Sequence, residues 1–315
     1  MARLHWLFEP EHHNVQRVFK IGAKMWSDLT CVNFFEDKYA KDKVVVVKES
    51  GSSSSIGRCG GDQLLSIGEN SPVRHISISA HEIGHVLGLF HTMSRYDRDG
   101  YIRIIMENVD VDRYEVCSAN QKPTMIAIYP QYQKTMGSDL ISFSDVFMIN
   151  EHYGCNEKCN KSTSAKCVNE GYPHPRNCSI CICPRGHGGA LCDRRPPGCG
   201  EDLVATRRKR TVVYRLGSGS DLRDQFDFCN YIITAPEGKK IEVDIRSISN
   251  GYDEAGCPKG GVEIKAQEDQ KLTGYRFCSK KGTSGPVVSS YNRLPVILFN
   301  RRGTMEVKFT HRYIG

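Results

Sequence analysis

The stretch His81-Glu82-Ile83-Gly84-His85-Val86-Leu87-Gly88-Leu89-Phe90-His91 decides the reading of this chain. On an α-helix, residues i and i+4 share a face, so His81 and His85 turn their imidazoles toward one ion while Glu82 stands beside the first ligand. Ile83, Val86 and Leu87 fall on other faces and are expected to anchor the helix in a core. A third ligand six residues past His85 cannot lie on the same helical face. The chain must break there, and Gly88 lets it turn without steric cost. His91 then arrives from outside the helix. Three neutral histidines with an open position are the donor set of a catalytic rather than a structural zinc site, with one Zn2+ per chain. Glu82 is the expected general base toward a water held there.

Outside this stretch the sequence divides into three. Up to about Cys155, helix and strand signals alternate. Asn14 to Leu29 puts Val15, Val18, Phe19, Met25 and Trp26 near one helical face, and Val44–Val47 reads as a buried strand bounded by the Gly51–Ser55 loop. Residues 155–192 carry seven cysteines and too few apolar side chains for a core, so disulfides have to hold them. The polar, stiff link Asp193-Arg194-Arg195-Pro196-Pro197-Gly198 precedes a series of short β runs: Thr211–Leu216, Tyr231–Thr234, Lys240–Ile245, Gly261–Lys265, Val296–Phe299 and Thr304–Phe309. Their spacing predicts an antiparallel sandwich. The expected fold class is therefore multidomain α+β, with domains at 1–155, 156–193 and 199–312.

Composition narrows the compartment. Hydrophobic residues make up 39% of the 315, enough for a core, and no run approaches the ~18 apolar residues of a membrane span. Eleven of the fourteen cysteines lie between Cys155 and Cys278, the pattern of a secreted, extracellular disulfide framework. Sequons at Asn160 and Asn177 fit that compartment. The opening residues lack the apolar stretch of a signal peptide, so an incomplete or processed start is expected. Of the net charge of +7, most sits after Cys199, where 20 Lys/Arg face 14 Asp/Glu. Scattered charge of this kind reads as a solvated face, and no nucleic-acid partner is expected. Arg207-Arg208-Lys209-Arg210 reads as a charged edge of the sandwich rather than a processing site.

The residues after His91 contain Arg95-Tyr96-Asp97-Arg98-Asp99. Together with Met25-Trp26, Thr30-Cys31-Val32-Asn33-Phe34 and the segment from Gly57 to Gly68, they resemble landmarks of the astacin family of zinc metalloproteases, whose catalytic domain has a zincin-like fold. Gly171-Tyr172-Pro173-His174-Pro175 and the Cys183–Cys192 segment resemble an EGF-like module, and the remainder resembles a CUB domain. The overall likeness is to nematode astacins that carry both. The resemblance implies hydrolysis of extracellular, matrix or cuticle and eggshell proteins, with the two modules docking substrates or partners. It implies disulfides Cys31–Cys155, Cys159–Cys178, Cys167–Cys181, Cys183–Cys192, Cys199–Cys229 and Cys257–Cys278. Cys59 and Cys117 are left over, with Ser52 and Ser71 close to the positions of the family's second protease disulfide. Gly60–Gly68 resembles the family's upper edge strand, and Arg95, Asp97 and Asp99 are expected to orient His91, to close the turn, or to form only a surface salt-bridge cluster.

The chain also departs from that family. The Met-turn S-x-M-H-Y is missing, because Arg113–Val116 passes through Cys117–Gln121 straight into Lys122-Pro123-Thr124-Met125. A deletion that truncates the catalytic domain is the expected cause. Met125 is expected to pack and Tyr129 to lie in a connecting loop. Thr92 replaces the family's glutamate after the third histidine. Two functions follow: an active zinc metalloendopeptidase, or a catalytically impaired extracellular binding protein that acts through its EGF-like and CUB modules.

Overall fold

The computed structural model describes residues 2–8, 13–68, 75–111, 117–279 and 285–315. Glu9, Ser71 and Arg113–Val116 lie outside the described residues. The amphipathic run forms α1 (His13–Leu29), and Val15, Val18, Phe19, Ala23 and Trp26 are on its buried face. Around it stand β1 (Arg3–Phe8), β2 (Asn33–Glu36), β3 (Lys43–Val47), β4 (Ser53–Ser54) and β5 (Asp62–Ser66), in the sheet order β2-β1-β3-β5-β4. All neighbours are parallel except β4 with β5. A central parallel strand is covered on both faces, which explains the continuous valine run of β3, where Val44–Val47 are all buried.

Gly60–Gly68 is a sheet edge only in its N-terminal half. Its strand, β5, lies between β3 and β4, because Ser53 and Ser54 pair with Ser66 and Leu65 and cover the outer side of its C-terminal half. The metal-motif helix α2 (His75–Val86) packs on α1, and Ile83 and Leu87 are each 1% exposed. The following chain is sparse: short 3-10 turns, then β6 (Ile102–Ile104) paired with β7 (Met125–Ala127). Regular packing resumes at α3 (Phe143–His152), which starts with a reciprocal cap between Ser142 and Asp145.

Residues 156–198 hold one hairpin, β8 (Tyr172–His174) and β9 (Asn177–Ile182), and three short disulfides, Cys159–Cys178, Cys167–Cys181 and Cys183–Cys192. The hairpin is not a separate bead. Ile182 joins the core of the first domain, and the Arg176 guanidinium donates to the carbonyls of Thr30 and Val32 at 2.7 and 2.6 Å. Cys31–Cys155 closes a separation of 124 residues beside it. A loop of that length limits the unfolded chain by about 4–5 kcal/mol in the chain-entropy account.

The C-terminal domain is a two-sheet sandwich. One sheet, β10-β12-β17-β14-β15, is built from Asp202–Val204, Leu222–Thr234, Arg293–Arg302, Gly260–Ile264 and Tyr275–Phe277. The other, β11-β18-β13-β16, is built from Arg210–Leu216, Met305–Ile314, Lys240–Ile248 and Val287–Val288. The six runs read from the sequence all lie within strands, apart from the end residues Lys265 and Thr304. β10, β15 and β16 went unread, because two or three residues carry no periodicity. Cys199–Cys229 and Cys257–Cys278 staple the sandwich, while Cys59 and Cys117 are both free and so do not pair. The sandwich docks on the residues before α3: Gln267 donates to the Tyr132 hydroxyl at 2.6 Å, Thr135 donates to the Gly274 carbonyl at 3.0 Å, and Arg301 pairs with Asp139.

Candidate metal centre

The position of the site follows from how closely α2 lies on α1. At Gly22 an added Cβ would come within 2.7 Å of the Ser79 hydroxyl, so glycine is what lets the two helices meet. Trp26, 2% exposed, fills the same contact and donates its indole N–H to the Ala80 carbonyl at 2.8 Å. Gly88 has φ +106°, a backbone that L side chains rarely adopt, and the helix ends just before it. The turn delivers His91 to the other two histidines.

The three rings converge through their Nε2 atoms. His91 Nε2 lies 3.0 Å from His81 Nε2 and 3.0 Å from His85 Nε2. His85 Nδ1 is 2.7 Å from the Leu89 carbonyl oxygen, so this nitrogen donates and Nε2 is left with its lone pair toward the cluster. A single proton on His91 or His81 satisfies only one of the two 3.0 Å contacts. The other then sets like against like unless a cation is shared. Crowding acts in the same direction: desolvation, then the neighbouring His85 and His91, draws the His81 pKa from 6.5 down to about 4, the neutral form that a metal requires. The ring nitrogens of the three histidines lie within 4.8 Å of one another, a donor set that fits zinc.

Glu82 is 5% exposed. Its Oε2 lies 3.0 Å from the Ser54 hydroxyl, which is also 2.8 Å from the Glu82 carbonyl oxygen, so one O–H is shared between the side chain and the backbone of the same residue. Gly57 N–H donates to the His85 carbonyl at 2.8 Å and fixes the β4 loop against the end of α2. Neither Ser54 nor the Leu89 carbonyl was read from the sequence. Ser54 sits within a four-serine tract with no motif of its own, and a backbone carbonyl carries no residue signal.

Beyond His91, Arg95 and Asp97 grip each other through two hydrogen bonds of 2.8 and 2.7 Å, and Arg98 pairs with Asp99 and donates to the Met93 carbonyl. These residues close the turn. Met125 lies half-buried in β7, paired with Ile104, and Tyr129 is 61% exposed, in a connecting segment.

Three convergent histidines at the end of a helix over a largely parallel sheet, followed by an all-β sandwich, make a metal-binding α+β domain with an appended β domain. The pattern of the astacin peptidase family matches residues 2–116 and the CUB domain pattern matches residues 199–313. Zinc metalloproteinase nas-25 of Caenorhabditis elegans is 34% identical over 95% of this chain and 84% of its own length. Zinc metalloproteinase nas-31 of the same organism is 40% identical over 95% of this chain, which spans about half, 53%, of that relative. High choriolytic enzyme 1, a hatching-enzyme zinc protease of the medaka Oryzias latipes, aligns over 48% of this chain and 89% of its own with a TM-score of 0.44 and 23% identity. The chain belongs to the astacin family.

Proposed function

We propose that this chain is a secreted zinc metalloendopeptidase that hydrolyses peptide bonds of extracellular, matrix or cuticle and eggshell proteins. The observation that carries the reading is the convergence of His81, His85 and His91 beside a buried Glu82 carboxylate. Bound zinc supplies Lewis-acid polarisation of the peptide carbonyl and acidifies water. The chain supplies the proton traffic. Glu82 takes the proton of the attacking water as the new C–O bond forms, then returns it to the leaving nitrogen as the C–N bond breaks. Ser54 holds the carboxylate while this happens, and Leu89 fixes the His85 tautomer.

The domain bounds of this reading are 1–155 for the protease, 156–193 for an EGF-like module supported by its hairpin and three short disulfides, and 199–312 for the CUB sandwich. Asn160 and Asn177 are both exposed, which suits glycosylation. Among the described residues no helix is long and apolar enough to cross a membrane. Zinc content measured together with cleavage of a broad protein substrate, with Glu82→Ala as control, tests the reading. Stoichiometric zinc without Glu82-dependent cleavage would select the second reading, a binding protein that acts through its modules. That reading draws on the exposed Tyr129 and on the deletion read between Val116 and Lys122, which removes the Met-turn.

A further inference from the structure

Where the three parts of the chain meet there is a solvent-connected pocket with an unusual charge balance. Its lining includes Arg185 from the disulfide-rich segment, Ser142 from the cap of α3, and Glu263, Lys265, Lys271 and Arg276 from the sandwich. Glu263, Lys265 and Arg276 are 0%, 1% and 3% exposed. Glu263 is the one carboxylate in the lining, and it is already committed: Oε2 accepts from Arg276 Nε at 3.0 Å and Oε1 from Gly274 N–H at 3.0 Å. The Lys265 ammonium is spent on the Gln270 carbonyl. Lys271, at the rim, balances against Asp269 and Glu170 at 3.9 and 3.7 Å.

Arg185 is left over. Its guanidinium stacks over the Phe228 ring at 5.1 Å, and among the described residues no acceptor meets its N–H groups. Two buried cations and a partly exposed one, Arg185, thus face one carboxylate whose two oxygens are engaged. Burial of uncompensated charge is costly unless a counter-charge enters. The lining is narrow, which excludes a large ligand and suits a compact one. Solvent reaches the pocket, so a counter-ion can exchange.

We infer that this three-way junction binds a small inorganic anion of chloride size, with Arg185 as its principal donor and the sandwich cations as its field. An ion held there bridges the disulfide-rich segment and the CUB domain and fixes how the sandwich sits on the protease. The site is remote in sequence from the metal helix.

The test is chloride titration of the full chain against sodium gluconate at constant ionic strength, because gluconate is too large to enter. The melting temperature of the wild type should climb and saturate with chloride, since an ion that binds only the folded state stabilises it by mass action. Formate should act similarly and sulfate less well. Arg185→Gln should weaken the response roughly tenfold or abolish it, as expected for loss of a charged hydrogen-bond donor. If that variant does not fold, 35Cl line broadening of the wild type, weakened several-fold in Arg185→Lys, which keeps the charge and loses the forked donor, serves instead. Equal melting curves in chloride and gluconate, broadening that Arg185→Lys leaves unchanged, or a chloride response that survives intact in Arg185→Gln, would overturn the assignment.

Discussion

Two regions of this molecule gather ionisable groups, and they do so in opposite ways. The metal centre collects His81, Glu82, His85 and His91 from eleven consecutive residues, on one helix and the turn behind it. The junction collects Arg185, Glu263, Lys265 and Arg276 from segments up to about ninety residues apart, and orients them by the docking of a whole domain. The local cluster offers three imidazole nitrogens and a carboxylate to a cation. The distant one is over-charged and calls for an anion. Local assembly makes the first robust to changes elsewhere, whereas the second depends on every contact that seats the sandwich.

The largest expected effect is at the local cluster. Glu82→Ala should lower kcat/KM by about 10²–10⁴-fold, the usual contribution of a positioned acid–base group, with zinc stoichiometry unchanged. A variant that keeps near-wild-type turnover would break the comparison, because the helix would then hold metal without supplying the base.

Next comes the distant cluster. Glu263→Gln removes the one carboxylate that Arg276, Arg185 and Lys265 share. Leaving buried charges uncompensated typically costs about 3–5 kcal/mol. Urea denaturation should show that loss in the sandwich transition while zinc binding persists. Loss of zinc as well would mean that the two regions are coupled through the interface.

The same contrast explains what could be read in advance. The metal helix, the break at Gly88 and the strands of the sandwich were legible because each is written in a local period or a fixed spacing. Arg185, Arg176 and Asp139 look like ordinary surface charges in the sequence. Two of the three are held by partners more than a hundred residues away, Arg176 by the Val32 carbonyl and Asp139 by Arg301. Ser54 was missed because one hydroxyl in a serine tract has no pattern. The rank of Gly60–Gly68 in the sheet was legible only in part, because the pairing of Ser53 and Ser54 settles which strand is outermost.

A smaller effect sharpens the charge account of the junction. Desolvation, opposed by Glu263, lowers the Lys265 pKa from 10.5 to about 8. Between those values the unfolded chain binds the extra proton, so stability should rise with pH from about 8 to 10.5, by on the order of 3 kcal/mol. Below about pH 8 both states are protonated and the slope vanishes. Lys265→Met should remove this rise, as read from denaturant midpoints across the interval. An unchanged slope would place the titrating proton elsewhere.

The smallest expected effect concerns the exposed side chains flanking His91, which belong to neither cluster. Tyr96 is 96% exposed and Phe90 69%, in contrast to Ile83 and Leu87 at 1% on the helix just before them. Surface truncations away from caps, cores and strained backbone stay within about 0.5 kcal/mol. Tyr96→Ala should therefore leave both the melting temperature and zinc content at wild-type values. If turnover falls while those two hold, the exposed ring acts on substrate. A fall in all three would show that the segment supports His91 and that the metal site extends beyond its eleven residues.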